Sequence, residues 1–165
     1  MASTRSAKSP ALVPRARALI RKLALEPHPE GGYYREIHRS REDVEVARGT
    51  RAALTTIYFL LARGQRSRFH CVRSDEIWHY YEGDSLRLVD VDAALRTRTE
   101  YRLGPLGGRA APVAVIPKDH WQAAESLGDY TLVGCTVGPG FDFADFALIG
   151  EAEGAALAKA WPTLA

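Results

Sequence analysis

The 165 residues are 46% hydrophobic and 25% charged, the mix of an ordinary folded protein of one domain. The 22 basic and 20 acidic residues leave a net charge of +2, too balanced for a nucleic-acid or anionic-membrane binder. No window approaches the ~18 apolar residues of a membrane helix. Cys71 and Cys135 are too few for a disulfide scaffold, so a cytoplasmic protein is expected.

No acidic residue precedes Glu26, whereas Arg5, Lys8, Arg15, Arg17, Arg21 and Lys22 do. An acid-poor start with Arg and Ser is shared with organelle transit peptides. The plainer reading is a disordered tail over 1–13 followed by one domain over 14–165. Pro14 suits the first turn of a helix running to about Leu25, with Ala16, Leu19, Ile20 and Leu23 on its apolar face. Pro27 and Pro29 stop that helix. Gly31-Gly32 turns the chain sharply into an extended segment, Tyr33 to Arg39.

From there the pattern is β. Strand-like runs cover Thr55 to Leu61, Ser67 to Arg73, Glu76 to Glu82, Ser85 to Val91, Thr97 to Leu103, Val113 to Ile116, His120 to Glu125 and Tyr130 to Val137. Turn pairs such as Arg63-Gly64, Gly83-Asp84 and Gly128-Asp129 separate them. Many short, evenly spaced strands predict a sandwich or barrel. In GPGFDFADF, Phe141 and Phe143 share a face beside glycines and are read as packing at the barrel base, the alternative being an aromatic lid. A last helix is expected over Glu151 to Trp161.

The stretch SRFHCVRSDEIWHYYEG, Ser67 to Gly83, resembles the first motif of the cupins: His70, Glu76 and Gly83 match, while Val72 stands at the second His position. The second motif is also altered, since Gln122 stands five residues after Pro117, where a His is usual. Four segments together, PHPEGGYYRE, TTIYFLL, SDEIWHYYEG and LVGCTVGPGFDFADFAL, resemble the uncharacterised cupin-5 family. The resemblance implies an all-β fold, a double-stranded β-helix or jelly-roll barrel, usually as a homodimer. It implies no particular activity.

Alternation of side chains puts Glu76, Trp78 and Tyr80 on one strand face, and His70 with Val72 and Arg68 on another. The motif spacing aims His70, Glu76 and Gln122 at the barrel axis, with Trp78, Tyr80 and Tyr58 lining the same cavity. A His beside a carboxylate suits metal-free proton transfer on a sugar-like or other small polar ligand, with His70 as base and Tyr80 or Tyr58 as acid. The metal-free nucleotide-sugar epimerases of the cupin superfamily offer the analogy. Cupin metal sites commonly use three His and one Glu. A divalent transition metal on His70, Glu76 and Gln122 is the alternative, weakened because Val cannot ligate and a Gln carbonyl does so poorly. Binding without turnover is the third reading: Trp78 and Tyr80 would stack on the ligand, and His70, Glu76 and Gln122 would hydrogen-bond it. In PHPEGGYYRE the turn is read as structural and His28 as a surface residue. By the family resemblance, Tyr34 and Arg35 are expected to cover the barrel mouth or cross to a partner subunit, with Arg35 meeting an anionic group.

Overall fold

A computed structural model describes residues 11–161 of the chain. Most of the tail expected over 1–13, and of the basic start that resembles a transit peptide, lies outside the described residues. The first helix, α1 (Pro14–Lys22), has Pro14 in its first turn and Arg21 and Lys22 at its C-terminal end, where the helix dipole favours cations. It stops three residues short of Leu25, because Ala24 adopts a left-handed conformation with φ 50°. No helix among the described residues is long and apolar enough to cross a membrane.

Thirteen strands follow: β1 (Glu26–Pro27), β2 (Tyr33–Arg39), β3 (Asp43–Val46), β4 (Gly49–Ala52), β5 (Thr55–Ala62), β6 (Arg66–Val72), β7 (Asp75–Gly83), β8 (Leu86–Val91), β9 (Arg98–Leu103), β10 (Val113–Ile116), β11 (Trp121–Ser126), β12 (Tyr130–Gly138) and β13 (Phe146–Leu148). They form a six-stranded sheet, β1-β2-β5-β12-β7-β10, and a five-stranded sheet, β13-β6-β11-β8-β9. The separate hairpin β3-β4 and the short β1 and β13 have no counterpart among the sequence-predicted runs, since each is short and without a clear alternation. A last helix, α2 (Glu151–Ala160), closes the described chain.

The two sheets face each other across a core of Phe59, Leu61, Trp78, Leu88, Ile116 and Val133, with further apolar neighbours. Alternation explains why one strand serves two layers. On β5, Phe59 and Leu61 point between the sheets, whereas Leu60 and Ala62 point outward and are covered by Ala16 and Leu19 of α1. On β8, Leu86 and Leu88 point inward, while Val89 and Val91 pack outward against Leu157 of α2. This is the double-stranded β-helix expected from the sequence, with a helix on each outer flank.

Alternation breaks at three bulges, and one of them shapes the site. Gln122 pairs with His70 and Ala124 with Ser67, so Arg68 and Phe69 of β6 together oppose Ala123. The extra residue turns both Ser67 and His70 inward and leaves Arg68 exposed. The expectation that Arg68 shares the face of His70 is therefore overturned.

Candidate functional site

Between the sheets lies a cavity of about 320 Å³, at the small end of the range for organic-ligand sites. Its floor is buried and polar, made by His28, Glu30, His70 and Glu76 with the Cys135 thiol. Its walls are aromatic and aliphatic, and its mouth is rimmed by the exposed residues Glu36, Arg39, Asp142 and Phe143.

Each floor residue is brought there by a different element. His28 and Glu30 come from the turn between β1 and β2. Gly31 (φ 114°) and Gly32 (φ 73°) allow that turn to lie directly on the barrel. A Cβ on Gly31 would sit 2.2 Å from the Arg66 carbonyl oxygen, and one on Gly32 2.8 Å from that of Leu60. The turn is laced to the β6 bulge by the Arg68 N–H, which donates to the Glu30 carbonyl (2.8 Å).

The Ser67 hydroxyl donates to Glu30 Oε1 (2.9 Å), and Glu30 Oε2 lies 3.3 Å from His70 Nε2. His70 Nδ1 is 2.8 Å from the Arg68 carbonyl oxygen. A carbonyl only accepts, so Nδ1 carries the hydrogen, and in the neutral ring Nε2 presents its lone pair to Glu30. His28 is wired the other way. Its Nδ1 accepts the Glu30 N–H (3.2 Å), which places the hydrogen of the neutral ring on Nε2. The 3.5 Å approach of His28 Nδ1 to Glu30 Oε2 is thus a contact of neutral groups rather than an ion pair.

Burial sets the charge of this floor. It pushes Glu30 up to about 8, against the pull of the Ser67 hydroxyl and Arg68. It also raises Glu76, with Glu30 adding to the effect. It lowers His28 to about 4, with His70 contributing, and it lowers His70. At neutral pH the Glu30–His70 pair therefore holds one proton between two groups and carries no net charge. Desolvation, with the neighbouring carboxyls, drives the Cys135 thiol well above its ordinary value, so it is no thiolate nucleophile.

The sequence-predicted residues divide by depth. His70 and Glu76 line the floor and Tyr34 lines a wall. Gln122 and Trp78 lie beneath the floor, fully buried. The Trp78 indole N–H donates to Gln122 Oε1 (2.9 Å), and Gln122 Nε2 donates to Glu76 Oε2. Tyr80 points inward four residues along β7, some ~13 Å beyond Glu76, and its hydroxyl donates to the Gly83 carbonyl. Tyr58 and Arg35 are cross-strand partners on the outer face. Tyr58 packs in the cluster under α1, and Arg35 donates to the Leu23 carbonyl. The structure does not bring Tyr80, Tyr58 or Arg35 to the cavity. His120, on Asp90 (2.7 Å), also lies outside it. Phe141 and Phe143 are at the cavity mouth, not packed at the barrel base.

Sequence reasoning missed Glu30 and took His28 for a surface residue, yet both are floor residues. The one available signal was the Gly31-Gly32 pair, which marks close backbone approach as well as a turn.

The residues at the cupin metal positions do not fit a metal. Val72 offers no donor. Gln122 has its oxygen on Trp78 and turns its amide N–H₂, which cannot ligate, toward Glu76. Among the described residues, no group of three or more His, Cys, Asp or Glu is arranged to hold a metal ion.

The profile of the family described as Cupin superfamily (DUF985) matches residues 17–149. A hypothetical protein from Leishmania major is 32% identical, with a TM-score of 0.80 over 90% of this chain and 93% of that one. A structural-genomics protein from Shewanella oneidensis is 34% identical, with a TM-score of 0.79 over 90% and 91%. An uncharacterised Klebsiella pneumoniae protein with a double-stranded β-helix domain shares the fold at 13% identity, with a TM-score of 0.53 over 80% and 95%. No curated protein matches this chain significantly.

Proposed function

This chain belongs to the family described as Cupin superfamily (DUF985), and we propose that its barrel binds a small organic molecule and moves a proton on it without a metal. The observation that carries this reading is the approach of Glu30 Oε2 to His70 Nε2 (3.3 Å) at the floor of a cavity. Once an acceptor atom of the ligand takes over the Glu30 hydroxyl hydrogen bond, His70, neutral and with its freed Nε2 lone pair held in place by the Nδ1–H bond to Arg68, is the base. It takes a proton from one atom of the ligand and returns it to another. The floor ends each cycle as it began, nothing is oxidised or reduced, and no co-reactant is needed. Glu30 steadies the imidazolium that forms. Gln122 and Trp78 hold the Glu76 carboxyl.

A homodimer in the cytoplasm completes the proposal. The dimer is supported by exposed apolar residues on one sheet face, and the reducing compartment by the free thiols of Cys71 and Cys135.

The test is deuterium uptake at the carbon beside the carbonyl in a panel of small ketones and keto acids, incubated with the protein in D₂O and followed by proton NMR. The wild-type protein should accelerate uptake for at least one member, and His70→Gln should lower the rate about 100-fold or more. Uptake undiminished in His70→Gln would remove His70 as the base. Saturable binding with no uptake anywhere would leave a binding module without turnover.

A further inference from the structure

The cavity concentrates its buried polar side chains at one end. At the mouth every charged or hydroxyl group already has a partner. Arg39 is bidentate on Glu36 (3.0 and 2.7 Å) and also donates to the Phe141 carbonyl (3.1 Å). The Thr55 hydroxyl oxygen accepts the Phe141 N–H (2.9 Å), and Asp142 Oδ1 accepts the Ala144 N–H (2.8 Å). These bonds pair the two opposite charges of the mouth, Glu36 and Arg39, with each other and leave it open in space.

Between mouth and floor the lining is apolar and mostly aromatic, with Ile57, Val72 and Val137 beside the rings. Phe59, Phe141, Phe143, Phe146 and Tyr34 line the cavity, and among them only the Tyr34 hydroxyl is polar. Phe141 and Phe143 meet edge to face at 5.0 Å, and Phe146 lies 5.5 Å from the His70 ring, tilted by 32°. His28 joins the same lining, edge-on to Tyr34 at 4.4 Å. Aromatic walls at these spacings present both faces and edges to a flat guest.

At the floor the polarity is concentrated and uncharged. His28 Nε2–H, the Glu30–His70 pair and the Glu76 carboxyl are all buried, and burial holds the carboxyls toward their protonated form and the imidazoles toward neutrality. A guest can exchange one or two hydrogen bonds there. An anion would be desolvated there with no positive charge on the floor to offset the cost.

From this one-ended polarity we infer that the cavity selects a flat conjugated ring bearing one uncharged polar group, as in a phenol or an aryl ketone, with that group on the His28–Glu30–His70 floor and the ring between the phenylalanines. A sugar is the wrong shape of polarity. Its hydroxyls surround the ring, and most would face Phe59, Phe141, Phe143 and Phe146 with no partner, giving up their hydrogen bonds to water. A benzoate has the right body and the wrong charge. This inference rests on the cavity being the ligand site proposed above, but not on proton transfer taking place in it.

Four probes decide it: p-cresol, acetophenone, benzoate and D-glucose, each titrated into the full chain at neutral pH and followed by amide chemical shifts or calorimetry. The two uncharged ring compounds should bind saturably and at least about tenfold tighter than benzoate or glucose. Phe143→Ala should weaken them several-fold, and since Phe143 is 55% exposed the fold should tolerate the change. Glucose binding as tightly as p-cresol, benzoate matching it, or no saturable binding of either ring compound would each overturn the inference. The readout is affinity alone. An aryl ketone that binds but takes up no deuterium beside its carbonyl would therefore defeat the proton-transfer reading while leaving this one standing.

Discussion

Glu30 lies in a turn, is buried at 6% exposure, and shares its proton with a histidine. The consequence for stability has a definite sign. Burial moves its carboxyl from an ordinary 4.5 up to about 8. Between those values the unfolded chain is ionised while the folded protein keeps the proton, so folding loses stability as pH rises, up to about 8. His28 acts at the other end. Lowered from 6.5 to about 4, it stays neutral in the fold while the unfolded chain charges, so stability falls as pH drops below 6.5. Above pH 6.5 the carboxyl slope is left alone, worth up to about 1.4 kcal/mol per pH unit for one proton. Glu30→Gln removes that proton's share. Glu76, which burial also raises, keeps its own. Urea unfolding at pH 6.5 and pH 8 should show a clearly smaller loss for Glu30→Gln than for the wild-type protein. Equal losses would mean that Glu30 is ionised in the fold at neutral pH and that the shared-proton description is wrong.

Elements far apart in sequence are fastened over the cavity mouth by one carboxylate. Asp145, in the 3₁₀ turn Phe143–Asp145 between β12 and β13, is buried and receives Arg48 Nε (2.7 Å) and both Arg51 Nε and an Arg51 terminal nitrogen (2.8 and 3.0 Å). Arg48 lies in the β3-β4 turn and Arg51 on β4. The clamp thus ties that hairpin to the turn that starts at Phe143 and is flanked by Phe141 and Phe146. The arginines hold Asp145 down to about 2, and their contribution is present above the ordinary aspartate range and lost as pH falls toward 2. Asp145→Ala leaves two partly buried arginines unmatched and should cost about 3 kcal/mol in urea unfolding, with weaker ring-compound binding. A loss under about 0.5 kcal/mol would reduce the clamp to a surface pair.

The sequence showed where most strands lie, and which face looks inward from Glu76 to Tyr80 of β7, where alternation is regular. It could not show the β6 bulge, because an inserted residue leaves no mark in a hydrophobic pattern. Nor could it bring His28 and Glu30 to His70, because a turn has no periodicity to project. The parity that misplaced Arg68 also hid Ser67. Arg35 and Tyr58 were misjudged for a simpler reason. Their strand neighbours Tyr34 and Phe59 take the inner face, so a shift of one residue puts them outside.

At the scale of the molecule, the outer faces of the two sheets are treated differently. Part of the six-stranded sheet is covered by α1, but its β7-β10 end is bare. Val113 and Val115 of β10 stand opposite His79 and Ile77 of β7, with Tyr81 further along β7. Tyr81, Val113 and Val115 are each nearly half exposed. β10 is also the terminal strand of its sheet and hydrogen-bonds β7 on one side only, so an apolar surface and an unpaired edge coincide. A monomer in water seldom keeps such a combination uncovered; in the dimer proposed above, a second copy related by a two-fold axis would cover it with the same residues from both sides. Light scattering on the full chain should therefore report about twice the 18.2 kDa chain mass at micromolar concentration. Val113→Lys with Val115→Lys places four like charges across the two-fold axis and should weaken association about 100-fold or more, leaving monomer with an unchanged circular dichroism spectrum. A wild-type protein that stays monomeric at every concentration, or a double variant that dimerises as well as the wild type, would show that this face is not where the copies meet. The cavity lies between the sheets and not on this face, so the monomeric variant should bind ring compounds unchanged.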